Sequence, residues 1–73
     1  MQTDAALKAF GARLRQLREE QGLSQEKLAE LADLHRNYGG LLERGQSNVS
    51  LLTMVKLAHC LKVKPPKLIE LVR

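Results

Sequence analysis

The segments Leu23-Ser24-Gln25-Glu26-Lys27-Leu28-Ala29-Glu30-Leu31-Ala32 and Tyr38-Gly39-Gly40-Leu41-Leu42-Glu43-Arg44-Gly45 decide the fold when read together. The first is a helix of about two turns, opened by Ser24, whose hydroxyl can accept an otherwise orphaned amide. The second is placed from Arg36 to Arg44. Gly45 stops it, and Gln46-Ser47-Asn48 reads as a loop. Two short helices joined by a tight turn cross closely only if the first carries a small residue, and Ala29 sits where that demand falls. Leu28, Ala32, Leu34 and Leu42 supply the apolar seam. Asp33 begins the turn at a point where glycine is easiest, and aspartate tolerates such backbone better than most residues.

Further helices extend outward from this pair. Upstream, Asp4 to Gln21 carries Leu7, Phe10, Leu14 and Leu17 at helical spacing, with Thr3 as its cap and Gly22 as a left-handed stop. Downstream, Ser50 caps a helix whose apolar stripe is Leu51, Met54, Leu57, Ala58 and Leu61. A fifth helix opens at Pro65-Pro66 and carries Leu68, Ile69, Leu71 and Val72. The expected fold class is all-α, a compact five-helix orthogonal bundle forming one domain over residues 1–73. Leu52 and Val55 fall off the main core stripe of the fourth helix, and His59 is either a surface or an interface residue. With Ile69 and Val72 they read as a twofold dimer interface, the other reading being a broader internal core.

Composition agrees with this plan and excludes several others. The chain has 73 residues and is 44% hydrophobic, with one Phe, one Tyr and no Trp, so its core must come from Leu, Ala, Val and Met. A chain of this length is near the lower limit for a core without disulfide or metal support. Cys60 has no partner for an internal disulfide and, with His35 and His59, matches no common zinc spacing, so no metal is expected. No apolar run is long enough for a membrane span, and Met1-Gln2-Thr3-Asp4 lacks a signal-peptide pattern, which points to a cytoplasmic protein. The formal charge of +4 is uneven. Residues 1–34 carry five basic and six acidic groups, residues 35–73 seven and two, so the second half can attract a polyanion.

Phe10-Gly11, Leu14-Arg15-Gln16-Leu17-Arg18, Gly22-Leu23-Ser24-Gln25, Leu28-Ala29, Glu43-Arg44-Gly45, Leu51, Leu57-Ala58, Leu61 and Val63 together resemble the lambda-repressor-like, XRE-type helix-turn-helix family. The likeness covers about residues 10 to 68. Leu34-His35-Arg36-Asn37-Tyr38 and Gln46-Ser47-Asn48-Val49-Ser50 also resemble the restriction-modification controller proteins within it. The resemblance implies a recognition helix at Arg36 to Glu43 in the major groove of double-stranded DNA. On that reading Arg36 and Asn37 face base edges, where the arginine fork suits guanine and the asparagine amide suits adenine. Leu41 either touches a thymine methyl or packs internally. Gln25, Tyr38 and Arg44 match positions that meet phosphates. Arg18 and Glu43 match a structural pair between the first and third helices. His35 either bonds an amide or approaches a phosphate.

The function so implied is a homodimeric, sequence-specific transcription regulator on a palindromic operator, needing no cofactor and taking no small-molecule substrate. A restriction-modification controller leads; phage-type repressor and antitoxin autoregulator stay open. The rival is a helical protein-interaction module, or an antitoxin-type partner, with weakened DNA binding. An enzyme is not expected, since no catalytic constellation or glycine-rich phosphate loop is present. Gly39 keeps the rival open: the resemblance puts a buried Ile or Val there, so a small cavity or a loosened helix is expected. Two consecutive glycines also cost about 1 kcal/mol each in helix propensity.

Overall fold

The computed structural model describes residues 3–69, and in them five helices account for all regular secondary structure. They are α1 (Thr3–Glu20), α2 (Gln25–Leu31), α3 (Tyr38–Glu43), α4 (Leu51–Cys60) and α5 (Pro65–Leu68). The all-α five-helix reading therefore stands. Its boundaries shift in places. Thr3 is itself helical rather than the residue before the helix. Leu71 and Val72, assigned to the fifth helix, lie outside the described residues.

Helix ends follow one local rule. Four times the chain leaves a helix through a residue with φ between 56° and 71°: Gly22, Asp33, Gly45 and Lys62. In each case the next amide reaches back to a carbonyl of the last turn, as in Leu23 N–H to Arg18 at 3.1 Å and Leu34 N–H to Ala29 at 2.8 Å. Gln46 to Leu41 at 2.9 Å and Val63 to Ala58 at 3.0 Å repeat it. This motif satisfies carbonyls that a helix end would otherwise orphan. Leu23, Leu34 and Val63 then fold back onto the core, so three of the four stops also redirect the chain inward.

Starts are equally local. Ser24 accepts the Lys27 amide at 3.0 Å and Ser50 accepts the Thr53 amide at 3.1 Å, as expected of both. Pro65 opens α5, where its missing N–H costs nothing.

Every helix contributes to one core: Phe10, Leu14 and Leu17 from α1, Leu28 from α2, Leu42 from α3, Leu57 and Ala58 from α4, and Leu68 from α5. Ala32 and Leu61, at the ends of α2 and α4, complete it. α1 is the common support, packing on both α3 and α5. At Gly11 its contact with α3 is backbone to backbone: a Cβ there would lie 2.5 Å from the Glu43 carbonyl oxygen and closer still to that of Leu42. Two residues further along α1, Arg13 is buried and donates from Nε to the Lys67 carbonyl at 3.1 Å, which ties down the end of α5.

Leu51 departs from the expected core stripe. It is 76% exposed, because α4 begins one turn before it reaches the core and only Leu57, Ala58 and Leu61 are buried there.

Candidate nucleic-acid interface

The interface is built on the α2-turn-α3 unit. The Ser24 cap fixes the first turn of α2 and so places Gln25 at the edge of the domain. At the other end the left-handed Asp33 reverses the chain, and Leu34 anchors it to the core. A second turn follows, in which the Tyr38 amide bonds the His35 carbonyl at 2.9 Å. The Asn37 amide bonds the His35 ring at Nδ1, 3.2 Å away, so the imidazole serves as an amide acceptor there.

These bonds delay α3. It was expected from Arg36 but begins at Tyr38, with Arg36 and Asn37 in the turn before it and Asn37 as the cap residue. Asn37 and Tyr38 both bond back to His35 in a tight turn, and Gly39-Gly40 gives little propensity to extend the helix backward. Both glycines are nevertheless helical and buried.

Gln25, Arg36, Asn37, Leu41 and Arg44 come together around one open concavity of about 780 Å³, with Glu26 and Gly40 completing its wall. Arg36, Asn37 and Arg44 are exposed, while Gln25 and Leu41 are half-buried. Leu41 faces this hollow and is not part of the apolar core. Tyr38 is not in the wall. Its ring packs against the core and its hydroxyl donates to the Asn48 carbonyl at 2.7 Å, so the proton expected to meet a phosphate is already engaged.

Arg18 and Glu43 are joined as expected, through two parallel bonds: Nε to Oε2 at 2.7 Å and Nη2 to Oε1 at 3.1 Å. Arg18 Nη1 also donates to the Leu23 carbonyl at 2.6 Å. The hydrogen bond to Glu43 holds the guanidinium above its already high ordinary proton affinity, despite burial. Glu43 does more than the sequence suggested. Its Oε1 accepts from Gln25 Nε2 at 3.1 Å, so the buried pair also fixes the carboxamide at the rim of the concavity.

Sequence reasoning missed three further residues. Gln46 accepts from Arg44 Nε at 2.9 Å. Asn48 receives Tyr38, and Arg13 binds α5. The one available signal was the position of Gln46, two residues beyond Arg44 across the Gly45 turn.

Of the four residues expected at a dimer interface, Leu52 is 65%, Val55 44% and Ile69 43% exposed. Val72 lies outside the described residues. His59 is exposed on the same helix as Leu52 and Val55. Among the described residues no cluster of His, Cys, Asp and Glu could hold a metal, and no helix is long and apolar enough to cross a membrane.

A short helix supported from behind by a buried ion pair, with two guanidinium groups and an asparagine around the hollow before it, defines a DNA-reading helix-turn-helix domain. The chain belongs to the helix-turn-helix family of DNA-binding transcription regulators, whose family model matches residues 14–68. It is 45% identical over 62 residues to the control protein C.BamHI of Bacillus amyloliquefaciens, covering 84% of this chain and 76% of that one. It is 46% identical over 56 residues to the control protein C.SmaI of Serratia marcescens, covering 77% and 67% respectively. The crystal structure of the restriction-modification controller protein C.AhdI from Aeromonas hydrophila superposes with a TM-score of 0.83 at 55% identity, covering 85% of this chain and 94% of that one. SinR, a master regulator for biofilm formation crystallised with DNA, gives 0.77 at 35% identity, over 81% and 95%.

Proposed function

We propose that this protein is a cytoplasmic, homodimeric controller of restriction-modification genes that reads a palindromic operator. One observation carries the reading: the fold gathers Gln25, Arg36, Asn37, Leu41 and Arg44 around a single hollow, although they come from two helices, the turn between them and the cap after α3. Arg36 and Asn37 lie on the turn that leads into α3 and suit base edges; Leu41, one turn into the helix, suits a thymine methyl. Arg44, beyond the end of α3, suits a phosphate. Gln25 retains a second amide hydrogen, besides the one given to Glu43, for a neighbouring phosphate oxygen. Tyr38, whose hydroxyl donates to the Asn48 carbonyl, braces the 46–49 loop.

Two copies are needed for two half-sites. The longest extent of one copy is 31 Å, whereas half-sites in successive major grooves lie about 34 Å apart. Leu51, Leu52, Val55 and Ile69 give the exposed apolar surface such a dimer would bury. The similarity to control proteins selects restriction-modification genes as the target.

Selection of bound duplexes from a random DNA pool tests the whole reading. A pseudo-palindromic consensus, bound more tightly than random DNA and with a steep salt dependence, is the expected result. Binding to neither duplex would reject it.

A further inference from the structure

Gly40 lies in the middle of α3, is buried, and lines the hollow, yet its backbone is helical with no positive φ. Any residue could adopt that backbone. Close packing of another main chain, which explains Gly11, does not apply either. A Cβ on Gly40 would have as its nearest neighbours Arg44 Nη1 at 3.1 Å, Gln25 Oε1 at 3.4 Å and Arg44 Cζ at 3.8 Å, all of them side-chain atoms. The missing Cβ is therefore the space in which these two side chains converge.

Both side chains are tethered at the far side of that space. Arg44 is held through Nε by Gln46, and Gln25 through Nε2 by Glu43. The second tether also fixes polarity, because a flipped carboxamide would set its oxygen against the Glu43 carboxylate. Gln25 therefore presents its oxygen beside Gly40, where Arg44 brings a donor.

We infer that Gly40 is a positioning residue for DNA recognition: lacking a side chain, it lets the Arg44 guanidinium lie back across α3 beside Gln25, in the pose that receives one backbone phosphate. Gln46 holds the same pose from the loop. The inference rests on the DNA-binding reading above and adds to it the residues that place the phosphate contact. A methyl group at residue 40 requires the Arg44 guanidinium to shift by a few tenths of an ångström, since it is the flexible neighbour that can yield.

The test measures binding of a selected operator and of a random duplex by fluorescence anisotropy across a salt series, for the native chain, Gly40→Ala, Arg44→Ala, the double variant and Gln46→Ala. Gly40→Ala is expected to melt no lower than the native chain, because alanine favours the helix. It should weaken both duplexes about tenfold and lower the salt slope by about one phosphate contact. In the Arg44→Ala background it should change nothing further, and Gln46→Ala should shift affinity and slope in the same direction. Native affinity and slope in Gly40→Ala would overturn the inference. So would a loss that persists in the Arg44→Ala background, which would mean that the methyl strikes DNA itself. If the native chain binds neither duplex, the DNA-binding reading itself fails, an outcome distinct from native binding with an indifferent Gly40.

Discussion

Glu43 stands between Arg18 and Gln25: one carboxylate takes two hydrogen bonds from the buried guanidinium and a third from the carboxamide at the rim of the hollow. The residue thus ties the scaffold to the rim of the hollow. Side-chain exposure of 11% for Arg18 and 4% for Glu43 puts the pair in a setting where partnering matters more than net gain.

Removing one partner should therefore cost far more than removing both. Glu43→Ala is expected to destabilise by about 3 to 5 kcal/mol in urea unfolding, since it leaves Arg18 charged and buried. Arg18→Met with Glu43→Leu should recover much of that loss. DNA binding by the double variant should stay weak, because Gln25 has lost its tether. Full recovery of binding along with stability would show that Glu43 acts only in the scaffold.

Gly11 predicts the largest effect of a single methyl group. Its missing Cβ is occupied by the carbonyls of Leu42 and Glu43, and backbone cannot step aside as a side chain can. Gly11→Ala should force α1 away from α3 at a cost of about 3 kcal/mol or more, read as a fall in melting temperature. An unchanged melt would mean that the two helices can slide apart freely.

Arg36 and Arg44 both face the hollow but should fail differently. Arg36→Ala is expected to lose about 1 to 3 kcal/mol of discrimination at one base pair while the domain stays folded. Arg44→Ala should weaken operator and random DNA alike and reduce the salt slope by about one contact. Competition binding against a panel of single-substituted operators separates the two, and a base-specific loss in Arg44→Ala would reverse the assignment.

Leu52→Glu tests the twofold reading. A charge on that exposed face of α4 should lower self-association in sedimentation and weaken the full operator, while an isolated half-site is bound almost as before. A native chain that stays monomeric at high concentration and on operator DNA would rule the dimer out.

Most of the scaffold was legible because its signals are local. Ser24 and Ser50 announce helix starts, Gly22 and Gly45 announce stops, and Asp33 was readable as the turn that needs a left-handed residue. Lys62 adopts the same left-handed backbone with φ 60° and carries no such signal, since lysine has neither glycine's freedom nor a short polar side chain. The hollow was legible in its members but not in its wiring. Nothing in spacing reveals that Glu43 holds Gln25, because that bond depends on how separate elements meet, and for the Arg44 tether the sequence offers only the place of Gln46 two residues further on. Leu51 misled for a related reason: periodicity gives the face of a helix, but not how far along that face the core extends.

Gly39 illustrates how that context decides the effect of a substitution, for it adjoins Gly40 and behaves oppositely. A Cβ there would find only the Gln25 carbonyl oxygen within 4 Å, at 3.7 Å, which is ordinary contact. The backbone is helical, so glycine is not required by conformation either. Gly39→Ala should accordingly stabilise the domain by about 1 kcal/mol, through helix propensity and a less flexible unfolded chain. For a chain of this size that corresponds to a rise of roughly 4 to 8 °C in melting temperature. Gly39→Ile should exceed alanine if the space beyond the Cβ is as open as the first 4 Å, since the added side chain would bury apolar surface beneath α3. Preferred bases should not move in either variant, because Gly39 takes no part in the wall of the hollow. Thermal melts of the two variants, followed by selection from the same DNA pool, decide the matter. An isoleucine melt below that of alanine would show that neighbouring side chains already fill the space, and a fall with alanine itself would show that the contact with the Gln25 carbonyl is tighter than its distance implies.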